Sequence, residues 1–196
     1  MKKYTYLTLL LLLVMGVNIN ADLFPKQNEI GVGLSSGKIN SLDGDDIEVD
    51  LDLGYSLEYG LTEDISVSLA YAGFDDLGID SSGLALGAEY RMDYMYDTTV
   101  VLGASVNFLK YEAAGFDEEG TSLGLDASIV YTAIDYVKPY VGLSYLTDAS
   151  SEIKFDDNLS EHVGFIITAT DYLNIALDYE FSQEAITYGA EFLFEI

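Results

Sequence analysis

From Glu29 onward, apolar and polar residues alternate almost without interruption to the end of the chain. Side chains alternate across a β-strand with period two, so each such segment predicts a strand with one apolar and one polar face. The clearest runs from Ile47 to Tyr59. Ile47, Val49, Leu51, Leu53, Tyr55, Leu57 and Tyr59 share one face; Glu48, Asp50, Asp52, Gly54, Ser56 and Glu58 share the other. On a helix those acids would spread around the whole cylinder, which rejects a period of 3.6. The last segment is equally regular. Ile186, Tyr188, Ala190, Phe192, Phe194 and Ile196 oppose Thr187, Gly189, Glu191, Leu193 and Glu195. An apolar strand face with nothing to cover it is an aggregation edge in water, so it demands a partner sheet or lipid.

About ten such segments follow one another, each near the nine to eleven residues that a tilted strand needs to cross a bilayer. Their connections alternate in length. Short turns are expected at Leu61–Asp64, Met95–Asp97, Ile134–Tyr136 and Asp171–Tyr172. Longer loops are expected at Asn40–Asp45, Asp75–Ser82, Glu112–Gly120 and Thr147–Ser160. Asp sits in every short turn, where a carboxylate can bond nearby backbone N–H groups. Aromatic residues gather near strand ends. Tyr59, Tyr90, Tyr94, Tyr131, Tyr172 and Phe194 would form one girdle; Tyr71, Phe108, Tyr145, Tyr179 and Phe181 would form the other. Such belts suit a membrane interface, because one end of the ring is apolar and the other tolerates water. A secreted two-sheet sandwich would also bury an alternating apolar face. The loop alternation and the girdles favour lipid. The prediction is an all-β chain forming a single antiparallel transmembrane barrel of about ten strands, with eight as the alternative.

One part of the chain escapes the alternation. Lys2 and Lys3 precede an apolar run from Leu7 to Val17, and Ala21 offers a small residue before Asp22. This reads as a signal peptide over residues 1–21, with the barrel domain over 22–196. Composition agrees with export and with sheet. The 196-residue chain has no Cys, 18 Gly and 16 Tyr. It carries 34 acids against 8 Lys and Arg, a formal charge of −26. Removing the first 21 residues removes two lysines and no acid. Nucleic acid is excluded as a partner by repulsion from its phosphates.

Taken together, the leader, the alternating strands and the closing run Tyr188 to Ile196 resemble the small outer-membrane β-barrel proteins of Gram-negative bacteria, the OmpA-like and porin-like group. The resemblance covers the whole chain after residue 21. It implies residence in the outer membrane among lipid and lipopolysaccharide, and insertion by the barrel-assembly machinery. Members of that group usually end on an aromatic residue; here the last residue is Ile196 and the aromatics are Phe192 and Phe194.

Strand parity predicts what the interior holds. Glu48, Asp50, Asp52, Glu58, Glu89, Asp93, Asp126, Asp178, Glu180 and Glu191 point inward, and Glu29 and Glu195 lie near a mouth. Only Arg91 and Lys138 oppose them, with His162 near one mouth. Unpaired carboxylates are expensive in a dry interior, by several kcal/mol each. A wet lumen with small cations is cheaper, and acidic linings favour cations. A narrow, cation-preferring pore is therefore one expectation. The other is a plugged barrel whose carboxylates are bridged by Arg91 and Lys138, since small barrels are often filled by side chains. Acidic stretches at Asp43 to Asp46, Phe74 to Asp76, Phe116 to Glu119 and Phe155 to Asp157 point to a surface-binding alternative, without calcium-loop spacing. A hydrolase would need His162 as base, with Ser160, Ser144 or Asp178 brought near it. A lone His near a mouth is a poor start for such a site. The expectation is a protein with no catalytic residue, no metal and no cofactor.

Overall fold

The computed structural model describes residues 25–42, 45–76, 79–113, 116–151, 158–182 and 184–196. The expected signal peptide at residues 1–21 lies outside them. Among the described residues the chain forms ten antiparallel strands closed into one barrel. They are β1 (Glu29–Leu42), β2 (Asp45–Gly60), β3 (Ile65–Asp76), β4 (Ile79–Met95), β5 (Thr98–Ala113), β6 (Phe116–Tyr131), β7 (Val137–Ser151), β8 (Asn158–Thr170), β9 (Leu173–Glu180) and β10 (Ala185–Glu195). Each pairs with its neighbours in sequence, and β10 pairs with β1 from Glu29 opposite Glu195 to Ile39 opposite Ala185. Closure removes both free edges, the only complete answer to the edge problem. The first and eighth segments, on which an eight-strand count depended, are full strands of 14 and 13 residues.

The alternation decides which side of the wall each residue takes. Leu57, Leu69, Leu86, Leu125, Ile129, Leu143, Phe165, Leu177, Tyr188 and Phe192 are exposed on the outer face. Their neighbours along the chain, on the inner face, are mostly Gly, Ser, Ala or acids, with Val130, Ile166 and Leu193 as apolar exceptions. A contiguous apolar exterior of this extent has no place in water. Both aromatic groups lie on it: Tyr90, Tyr94, Tyr131, Tyr172 and Phe194 at the short-turn end, and Tyr71, Phe108 and Phe181 toward the other.

Three expectations are corrected. First, the predicted long loops are shorter. Pairing of β3 with β4 continues to Asp76 opposite Ile79, and that of β5 with β6 to Ala113 opposite Phe116. The ladder is held by backbone groups, so it runs through the polar Asp75 to Ser82 and Glu112 to Gly120 once hydropathy no longer matters. Second, two turns are held by threonine. Thr62 Oγ1 accepts from Asp64 N at 3.2 Å and Ile65 N at 3.0 Å; Thr170 Oγ1 accepts from Tyr172 N at 3.2 Å.

The third correction concerns β2. Its register against β1 jumps from Ser35 opposite Gly54 to Gly37 opposite Leu51. Two steps on β1 thus meet three on β2, a β-bulge. One extra residue inverts the side chains beyond it, here as far as a second register shift between Ile39 and Ser41. Val49 is 4% exposed and points inward, as does Leu51, although both were expected in lipid. Asp50 turns outward, opposite Lys38.

Candidate functional site: the acidic interior

The inward set of each strand builds the interior, and the predicted site residues distribute along it unevenly. Glu58, Glu89, Asp178, Glu180 and Glu191 point inward and are all buried. Asp126, Arg91 and Lys138 point inward and are half-buried. Asp93 lies at the short-turn mouth, where its Oδ1 accepts from Thr99 Oγ1 at 3.0 Å. Arg91 Nη2, near the same mouth, donates to the Glu63 carbonyl. Two predicted members leave the set. Asp50 faces outward, and Asp52 is exposed within the bulge, because the extra residue of β2 reverses the parity on which both were placed. Glu48 belongs to β2, but its side chain lies outside the described ones.

Near the long-hairpin end several inward residues are apolar, beside Ser81 and Glu180. Ile39, Val49, Leu109, Leu146 and Ala185 are all buried. Toward the short-turn end Val101, Val130, Ile166 and Ala176 pack into a cluster, with Tyr140 against it. Between these lies the best-defined polar constellation. His162, on β8, places Nδ1 3.2 Å from Asp178 Oδ2 on β9. Its Nε2 lies 3.3 Å from Asp126 Oδ2 on β6. That second approach is an ion-pair contact without hydrogen-bond alignment, since Nε2 finds no aligned acceptor. Tyr140 donates its hydroxyl to Asp178 Oδ2 at 2.6 Å, and its ring stands edge-on to His162, with centroids 5.9 Å apart. Asp126 accepts from Ser144 Oγ at 2.8 Å and from Ser128 Oγ at 3.1 Å. Glu180, directly across from His162, accepts from Ser182 Oγ at 2.5 Å.

Glycine makes this arrangement possible. Gly142 lies on β7, between the strands of Asp126 and His162, and a Cβ there would overlap His162 Nε2 and stand 2.5 Å from Ser128 Oγ. A Cβ on Gly164 would overlap the Tyr140 ring. The imidazole and the phenol therefore lie along the barrel wall, over bare backbone, instead of projecting toward the axis. The same device recurs elsewhere. The Glu191 carboxylate lies over Gly31, and Ser56 Oγ over Gly33. Several polar side chains of this interior thus lie flat over glycine backbone, which contributes to their burial. Toward the short-turn end Thr168 Oγ1 and both polar atoms of Asn174 are buried without a protein hydrogen-bond partner. Groups of that kind are normally satisfied by water.

The side chains are not arranged as a serine–histidine–acid relay. Both ring nitrogens of His162 face carboxylate oxygens, which leaves neither to take a proton from a serine. Ser144, a candidate nucleophile in the network, donates to Asp126. No group of three or more His, Cys, Asp or Glu among the described residues is arranged to hold a metal ion. Tyr140 and the two glycines were absent from the expected site. The available signal was the strand context: an aromatic residue among small ones on the inward face of β7, two residues before Gly142.

No family model matches this sequence, and neither does any curated relative. Its fold does have solved counterparts. An outer-membrane channel of Pseudomonas putida superposes with a TM-score of 0.53 at 10% identity, covering 87% of this chain and 97% of that one. The N-terminal β-barrel domain of Pseudomonas aeruginosa OprF gives 0.49 at 14% identity, covering 86% and 98%. The outer-membrane protein OprG of the same species gives 0.46 at 13%, covering 88% and 99%. The class is thereby defined: this chain has the fold of an outer-membrane β-barrel, and its apolar exterior places it in a bilayer. Within that class its described residues form a closed barrel of ten antiparallel strands.

Proposed function

We propose that this protein is a narrow, cation-preferring pore of the outer membrane. The observation that carries the reading is the composition and posture of the inner wall. Glu58, Glu89, Asp126, Asp178, Glu180 and Glu191 face inward against Arg91, Lys138 and His162, and the side chains with a glycine beside them lie along the wall. A low-dielectric wall with excess negative charge concentrates cations and repels anions. Unsatisfied buried polar atoms support a hydrated path through the short-turn half. The apolar inward residues Ile39, Leu109 and Leu146 reduce the bore toward the long hairpins and favour small solutes. In this reading residues 1–21 direct export, the barrel-assembly machinery inserts the strands, and lipopolysaccharide surrounds the outer rim.

Purified barrel in planar bilayers tests this. Under a salt gradient the expected result is small, steady current steps with a reversal potential on the cation side. Replacing Glu58, Glu89 and Glu191 together by Gln moves that potential toward zero. Silence across many verified insertions, or selectivity indifferent to the three substitutions, overturns the pore. The remaining reading is then a closed barrel that acts through its acidic hairpins.

A further inference from the structure

We propose that His162 is a counter-ion built into the wall, and that it determines how strongly the pore discriminates between cations and anions. The inference rests on the pore reading above. Arg91 and Lys138, the other inward bases among the described residues, sit near the short-turn end, on β4 and β7. His162 instead stands on β8 toward the long-hairpin end, within the span where Asp126, Asp178 and Glu180 face the bore. Its position is over-determined. Nδ1 faces one aspartate at 3.2 Å and Nε2 the other at 3.3 Å. Gly142 provides the room for the ring, and Tyr140 stands edge-on against it.

The chemistry follows from the donor inventory. An imidazole presents hydrogens on both nitrogens only as the cation; the neutral ring would turn a lone pair on one of the two carboxylates. As a cation it offsets one of two aspartate charges while lying flat, so it removes field without obstructing the path. Tyr140 and the serines complete the carboxylates' bonding: Tyr140 serves Asp178, and Ser128 and Ser144 serve Asp126. Both carboxylates thus keep hydrogen-bond donors when the imidazole is gone, which favours a folded barrel in its absence. Their charge then acts on passing ions unopposed. The side chain of Asp126 is 32% exposed, so its charge is within reach of such an ion.

The test uses reversal potentials of the full barrel in planar bilayers. The substitution is His162→Asn, a smaller polar side chain without charge. The expected result is a severalfold rise in the cation-to-anion permeability ratio over the unsubstituted protein. Adding Asp178→Asn to that variant brings the ratio back toward the starting value. Imidazole added to the bath lowers the ratio of His162→Asn and leaves that of the unsubstituted barrel alone. A ratio unchanged by His162→Asn, in a barrel that conducts, overturns the proposal and leaves the pore reading standing. If neither protein conducts, both fall. Circular dichroism and the gel shift of the folded barrel check that each variant has folded; if His162→Asn does not fold, His162→Gln takes its place.

Discussion

Replacing Leu125 by Arg is expected to destabilise the barrel in lipid by about 2–4 kcal/mol, the cost of a basic side chain near the bilayer midplane. Leu125 is 57% exposed on the outer face of β6, midway between Thr121 and Tyr131. Its register neighbours are Ala104 and Tyr145, also on the outer face. In a water-soluble protein the same change at an exposed leucine would fall within about 0.5 kcal/mol of neutral. The experiment therefore separates the two environments by a margin larger than its error. Reversible urea unfolding in lipid vesicles, followed by circular dichroism because the chain has no Trp, gives the difference directly. A companion substitution sharpens it. Asp97→Arg, in an exposed turn beyond the belt, should be near neutral. Equal small effects at both sites would remove Leu125 from lipid.

The second large effect is expected at Gly164. Gly164→Ala places a methyl against the Leu177 carbonyl oxygen and the Tyr140 ring together. Leu177 O belongs to the backbone of β9, which cannot yield without loosening the β8–β9 ladder. Moving Tyr140 instead breaks its 2.6 Å bond to Asp178. Overpacking of this kind costs about 1–3 kcal/mol. Gly142→Ala provides the contrast. The atoms its methyl would meet are side-chain atoms of His162 and Ser128. Its penalty should largely vanish when His162 is cut to Ala in the same chain, whereas Tyr140→Ala recovers only part of the penalty at Gly164. A full recovery at Gly164 would show that the backbone contact carries no strain.

Most of the architecture was legible before any coordinates. A half-lipid, half-lumen strand must alternate, and alternation over ten segments leaves few other folds. The bulge in β2 was illegible for a physical reason. Leu51 and Leu53 are both apolar, so hydropathy runs smoothly across the point where one of them turns inward. That single residue misplaced Asp50 and Asp52 together. Strand lengths were underestimated because backbone pairing continues where hydrophobic pattern stops. Parity predicted that Glu58, Glu89, Asp178, Glu180 and Glu191 turn inward, and these five are buried. The partners of His162 were not legible, because Asp126 reaches it diagonally across β7, and only register locates Gly142 beneath. Tyr140 looked like one more inward residue until Gly164 was seen to lie under its ring.

The pairing of β1 with β10 has a consequence in time. Every other ladder joins strands adjacent in sequence, so those hairpins can form locally. The seam between Glu29–Ile39 and Ala185–Glu195 joins the first strand to the last. Contacts that distant in sequence are slow to form. Until β10 arrives, β1 presents an unpaired row of donors and acceptors to whatever is near. The unfinished sheet must therefore be shielded, and the barrel becomes lipid-compatible in one final step.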